Sequence, residues 1–319
     1  MQVAMQAGGG VFSIGECMVE FFDRGDGCWQ RGFAGDTLNV AWTLRALLPA
    51  EVPVGYVSRV GRDAVSDAMV DFIAAAGVGT EGISRDPERT VGLYTIATDA
   101  GGERSFTYWR QASAARRLAG DGPALADRLR GARLVYFSGI TAAIVGPEGR
   151  AALLAALAEA RVAGALLAYD PNYRPRLWED AGAMRSFARQ IAGLADILLP
   201  TFEDEAAAFG DADPQATAGR LAGWGCGEVV VKDGARETLL FQNGEPSRHL
   251  PPQGLRPVDT TGAGDSFNGG YLAARLMGLA PAAAVPLAQA VAARVVMERG
   301  ALIPPDTLRR AAGLPVRAG

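Results

Sequence analysis

The chain has 319 residues, 49% of them hydrophobic and 21% charged, so it can bury a full core and is neither disordered nor fibrous in composition. A net charge of −4 without blocks of like charge offers no basic field to nucleic acid or to an anionic membrane, so the expected partner is small. Cys17, Cys28 and Cys226 lack CxxC or zinc-type spacing, no apolar run reaches the ~18 residues of a membrane span, and the first ten residues carry no signal-peptide pattern, so a cytoplasmic protein with free thiols is expected.

After a glycine-rich leader, Val11 to Ile14 forms a short apolar strand. Cys17 to Phe22 and Trp29 to Phe33 are rich in β-favouring residues and flank the turn Asp23 to Gly27, which predicts strands that fold back on each other. Asp36 is placed to cap a helix in which Val40, Leu44 and Leu47 recur at the helical period and which Pro49 closes. Pro53 to Val60 reads as a strand. Asp63 opens a helix with Val65, Met69, Phe72, Ile73 and Ala76 on one face and Gly77 as its stop. Val91 to Thr98 and Arg104 to Trp109 flank the turn Asp99 to Gly102 and predict a second hairpin.

From there strands and helices alternate: strand Leu134 to Ser138, helix Pro147 to Gly164, strand Ala165 to Tyr169, a helix around Met184 to Ala192, and strand Asp196 to Leu199. That alternation predicts a mainly parallel sheet covered by helices on both faces. Glu228 to Lys232 and Thr238 to Phe241 are two more strands, and Pro286 is expected to open the last major helix through Met297. The expected fold class is α/β: one domain over residues 1–319, from which segments near 17–34 and 91–111 extend as a small β-sheet lid. His249, the only histidine, lies in the polar stretch Glu245 to His249, which reads as a surface turn. Catalytic triads and histidine metal sites are thereby set aside, and general-base chemistry falls to a carboxylate.

The stretch Pro257 to Gly270 carries the chemistry. Phe267, Tyr271 and Ala274 recur at helical spacing, so Gly262, Ala263 and Gly264 sit where a loop becomes a helix. Glycines there let a phosphate approach backbone N–H groups, and the positive end of the helix dipole favours the same anion. Asp265 beside such a site is a poor phosphate ligand and a good proton acceptor for an attacking hydroxyl. An ordinary helix start capped by Asp265 is the competing reading. Gly35, Asp36 and Asn39 form a second cluster at a helix start, suited to polyol hydroxyls, although Asp36 can equally be only the cap. Tyr108 and Arg110 project to one side of a strand and suit a carboxylate, against the alternative of a solvated edge strand. Asn172 and Arg174 follow the strand ending at Tyr169, at the end where α/β sheets bind ligands.

The run Asp259-Thr-Thr-Gly-Ala-Gly-Asp-Ser-Phe-Asn-Gly-Gly270 resembles the signature of the ribokinase-like (PfkB) sugar kinases. With GECMVEF from Gly15, RGFAGDTLN from Arg31, GERSFTYWR from Gly102 and DPNYRPRLW from Asp170, the chain is similar to the 2-keto-3-deoxygluconate kinase subgroup from about Gly15 to Pro304. The resemblance implies a ribokinase-like fold and ATP-dependent phosphorylation of the terminal (6-) hydroxyl of that sugar acid, with Asp265 as base and Gly262, Ala263 and Gly264 as anion hole. It implies sugar-acid contacts at Gly35, Tyr94, Tyr108, Arg110 and Arg174, and nucleotide contacts at Asn172, Arg174, Thr201 and the loop that begins Lys232-Asp-Gly234. Thr201 and Asp204 stand where the family commonly has Asn and Glu, and Ala34 where it usually has glycine, so metal ligands stay unassigned.

ATP and Mg2+ are the implied cofactors, with a monovalent cation such as K+ left open. A neutral-sugar kinase of the fructokinase or ribokinase type and a non-catalytic sugar-binding protein are the rivals, the latter having no use for an intact GAGD. A Rossmann oxidoreductase lacks its GxGxxG here, and a P-loop lacks GxxxxGK[ST]. Phe21, Phe22 and Trp29 on an exposed lid face predict a homo-oligomer joined through the lids, unless these aromatics pack onto the body of their own chain.

Overall fold

The computed structural model describes residues 9–98 and 104–317. The turn expected at Asp99 to Gly102 and most of the glycine-rich leader lie outside the described residues. Among those described, nine strands form the central sheet, in the order Glu245–His249, Glu237–Gln242, Glu228–Asp233, Ile197–Leu198, Leu166–Asp170, Leu134–Ser138, Val11–Ile14, Val54–Val60 and Ile83–Arg85. The first three strands of that order pair antiparallel with one another in turn; every other neighbouring pair is parallel.

Strands Leu134–Ser138 and Leu166–Asp170 are buried at every residue, because helices cover both faces of a parallel sheet. The pleat sorts their side chains into two cores. Tyr136 joins one hydrophobic cluster with Leu38, Leu44, Tyr271 and Val291, while its neighbour Phe137 joins the other with Leu153, Leu157, Tyr169 and Phe187. Helices Asp36–Leu47, Ala263–Leu276 and Pro281–Val295 supply the first cluster, and Gly146–Val162 and Ala181–Ala192 the second. No helix among the described residues is long and apolar enough to cross a membrane.

A second sheet has the order Trp29–Ala34, Met18–Asp23, Gly92–Thr98, Arg104–Trp109, with antiparallel outer pairs and a parallel central pair. Two residue stretches far apart in the chain thus meet as the expected lid. Its aromatics divide differently from expectation. Val19 and Phe33 are buried in the core of the body, Phe33 lies 5.4 Å from Phe72, and Phe21 packs against the same cluster. Phe22 packs on the opposite lid face with Met18, Ala34, Tyr94 and Ile96. Trp29 stays 46% exposed, and Trp109, on the opposite outer strand of the lid, is 55% exposed.

Several local readings are corrected. Gly35, not Asp36, occupies the N-cap of Asp36–Leu47, with extended backbone. A Cβ at residue 35 would stand 2.2 Å from the Glu16 carbonyl oxygen, so only glycine fits and Asp36 moves into the first turn. Glu245–His249 is an edge strand paired with Glu237–Gln242, where Pro246 is tolerated because an edge strand leaves one ladder open. The last major helix begins at Pro281, whose missing N–H is not needed in the first turn, and Pro286 lies inside it. Val65 is 38% exposed, outside the buried face that Met69 and Ile73 define. The capped helices Gly122–Leu129 and Pro214–Gly223 and the helix Phe202–Phe209 were not anticipated; they are short, and Asp121 and Asp213 start the first two.

Candidate active site

The C-terminal ends of the parallel strands, the start of helix Ala263–Leu276 and the inner face of the lid enclose a cleft of ≈1290 Å³. Gly262, at φ 74°, turns the chain into the helix; a Cβ there would lie 2.6 Å from that of Ala301, so glycine alone allows the approach. Buried Asp259 holds the preceding loop by accepting from the backbone N–H of Thr261 at 3.0 Å and of Gly300 at 2.7 Å. Gly262, Ala263, Gly264 and Asp265 all line the cleft.

Asp265 is half-buried in the first helical turn and accepts from Asn39 Nδ2 at 2.8 Å. Loss of solvent, followed by the charges of Asp36 and Asp170, pushes its carboxyl up to about 7, against the opposing pull of Asn39 and Lys232. Asp36 is raised as well, by burial, although hydrogen bonds and the Arg110 charge hold it back; its Oδ2 accepts from Asn172 Nδ2 at 3.0 Å. Asn172 sits at φ 34°, a left-handed conformation that asparagine tolerates better than most residues. A carboxyl titrating near neutrality beside an anion-binding helix start can take a proton from an attacking hydroxyl.

Behind the helix start, Lys232 Nζ donates to Asp170 Oδ2 at 2.8 Å and to Asn268 Oδ1 at 3.0 Å. Lys232 was expected at the start of a nucleotide loop. Its ammonium forms a buried pair with Asp170, and the residue lines the cleft. Arg174 is more available: its side chain is 52% exposed, donates to the Tyr173 carbonyl at 2.7 Å and lies 3.9 Å from Asp204. Burial raises Asp204, and the Arg174 charge opposes that rise. Thr201 precedes helix Phe202–Phe209 and bridges to Lys232.

At the lid end, Tyr94 donates to Glu20 and stacks on Tyr108 with centroids 5.6 Å apart. Burial and the Glu20 carboxylate push the Tyr94 phenol well up, so it stays a donor. Arg110 does reach the cleft beside Tyr108, but its guanidinium is paired with Glu16, both residues buried. Glu16 Oε1 and Arg110 Nε remain buried without partners.

The structure therefore brings Gly35, Asp36, Asn39, Tyr94, Tyr108, Arg110, Asn172, Arg174, Thr201 and Lys232 to one cleft with the helix start. Gly234 is not among its lining: it forms the turn after Glu228–Asp233, at φ 55°, with no atom near where a Cβ would stand. Glu16 and Asp170 line the cleft, and Glu20 and Asn268 bond to its lining; sequence reasoning did not single out these four. A signal was present in Glu20 and Asp170, a charge inside one strand and at the end of another, where an unpaired carboxylate is costly.

Comparison with known proteins agrees with this geometry. Residues 10–308 match the family model described as pfkB family carbohydrate kinase. The 2-dehydro-3-deoxygluconokinases of Escherichia coli K12 and Dickeya dadantii are each 38% identical over 303 residues, 92% of this chain and 97% of theirs. An E. coli structure assigned as a ribokinase II in complex with ATP and Mg2+ is 26% identical, with a TM-score of 0.80 over 92% of this chain and 94% of that one.

Proposed function

Because the chain belongs to the pfkB family of carbohydrate kinases, we propose that it transfers the terminal phosphoryl group of ATP to the 6-hydroxyl of 2-keto-3-deoxygluconate, with Asp265 as general base. The observation that carries this reading is the cleft itself, where a carboxyl pushed up to about 7 stands in the first turn of the helix at Gly262 and shares its space with Arg174. The 6-oxygen forms a bond to the γ-phosphorus while the bond from that phosphorus to the β–γ bridging oxygen breaks. The hydroxyl proton passes to Asp265, and ADP leaves. Backbone N–H groups and the helix dipole at Gly262 to Gly264 meet the charge on the transferred group.

Mg2+ bound with ATP would offset charge on the phosphates and would need only one or two carboxylates from the protein. Asp204, which lines the cleft with a carboxyl raised by burial, is the residue that would hold it. Potassium titration reads out whether a monovalent cation acts on the anion-hole loop. Gly35, Asn39, Tyr94 and Tyr108 hold the sugar, and Arg174 holds its carboxylate bidentately. One observation favours the neutral-sugar alternative: the Arg110 charge is already met by Glu16. Cytoplasmic location fits the free cysteines. Exposed Trp29 and Trp109 support a homo-oligomer joined through the lids, which sedimentation of the wild type and of Trp109→Glu tests.

Coupled ADP-release assays with 2-keto-3-deoxygluconate, its galacto epimer, fructose and ribose test the substrate. The sugar acid should exceed the neutral sugars in kcat/KM by about 10- to 10²-fold, the value of a charge-assisted bond to the half-exposed Arg174. Equal rates with fructose would transfer the assignment to the alternative.

A further inference from the structure

Beneath the signature helix runs a buried polar chain with no part in the reaction as derived so far. Tyr136, Asp170 and Lys232 come from the strands Leu134–Ser138, Leu166–Asp170 and Glu228–Asp233, and Asn268 from the helix Ala263–Leu276; all four are buried. Asn268 lies one helical turn beyond Asp265. It donates to Asp170 Oδ2 at 2.6 Å and to the Tyr136 hydroxyl at 3.2 Å, and it accepts from Lys232 at 3.0 Å. Lys232 completes the circuit with its 2.8 Å bond to Asp170. A Cβ placed on Gly264 would meet Lys232 Nζ at 3.8 Å, so the ammonium lies directly against the first turn of the helix.

We propose that Lys232 is a positioning residue for phosphoryl transfer: clamped by Asp170 and Asn268, its ammonium fixes the helix start and keeps the Asp265 carboxyl ionisable among its acidic neighbours. The inference rests on Asp265 being the base. Asp36 and Asp170 face that carboxyl together with the Tyr136 phenol, Asn39 donates to it, and Lys232 is the cation acting against them. Arg110, the cation beside Asp36, is already matched by Glu16. Burying an ammonium is costly unless it is paired, and a lysine serving only to touch a nucleotide gains nothing from a place under the helix.

The test is the pH profile of kcat/KM with whichever sugar the wild type phosphorylates best. Lys232→Met removes the cation, so the acid limb should move up by about one pH unit, with activity recovering toward about pH 9 and little change in KM for ATP. Asp170→Asn removes a carboxylate, so its limb should move down. In the double variant the two changes oppose, and the limb should return toward the wild-type position. A limb that stays in place in both single variants while KM for ATP rises in Lys232→Met would overturn the role and leave a nucleotide contact. So would a loss of kcat equal at every pH that the double variant does not relieve. A wild-type profile with no acid limb would instead sink the base assignment itself, and this role with it.

Discussion

The two ends of the cleft are built from different materials. At the helix-start end, Asp170, Lys232 and Asn268 are buried on strand ends and a helix and bonded to one another at 2.6 to 3.0 Å. At the lid end, Phe106 and Tyr108 lie on an outer strand of a four-stranded sheet and are 41% and 44% exposed. The contrast fits the proposed reaction: the transferred phosphoryl group is the same whatever the acceptor, so its site can be rigid, whereas a lid must open to admit the sugar and close to exclude water.

The largest expected effect would break the rigid end. Asp265→Asn should lower kcat by about 10²- to 10⁴-fold with substrate affinity kept, because it removes the proton acceptor and preserves shape. Wild-type kcat/KM should rise as pH increases through about 7, since the base works only when ionised. Steady-state kinetics across pH checks both. At the lid base, Arg110→Ala strands the Glu16 carboxylate and should cost about 3–5 kcal/mol of stability, most of it recovered when Glu16→Gln is added. Urea unfolding of the two variants measures that recovery. If the pair serves the substrate alone, both variants will unfold like the wild type.

Smaller effects sharpen the comparison. Arg174→Ala should raise KM for the sugar acid by about 10- to 10²-fold, the value of a charge-assisted bond, and change KM for fructose little. The shift at Asp265 also carries a stability consequence. Its folded carboxyl titrates at about 7 against an ordinary 3.8, so the native state binds that proton more tightly than the unfolded chain. Stability contributed by this group is therefore full below 3.8 and is lost as pH rises to about 7. Asp265→Asn should melt above the wild type at pH 8, with the gain shrinking toward pH 4; thermal scans at both values decide it.

How much of this was legible depended on how local each cause was. The parallel strands announced themselves as unbroken apolar runs, and the helix start at Gly262 by glycine spacing followed by Phe267 and Tyr271. Both signals lie within a dozen residues. The Glu16 partner of Arg110 is 94 residues away, and the Asn268 partner of Asp170 is 98. No periodicity links such pairs; only the closed fold does. Asp36 misled because a carboxylate at a helix start has a generic use as a cap, and the close approach of the Glu16 carbonyl to Gly35 is tertiary. The edge strand at His249 was hidden by Pro246, a residue that argues against a strand everywhere except at an edge.

The central claim is phosphorylation of a sugar acid at its terminal hydroxyl, and product analysis tests it most directly. The wild type is incubated with ATP, Mg2+ and 13C-labelled 2-keto-3-deoxygluconate, and the product is followed by 31P and 13C spectra. The account predicts one phosphomonoester whose phosphorus couples to C6, formed with one ADP per ester. An ester at any other carbon, or none from the sugar acid under conditions in which fructose is phosphorylated, would contradict it.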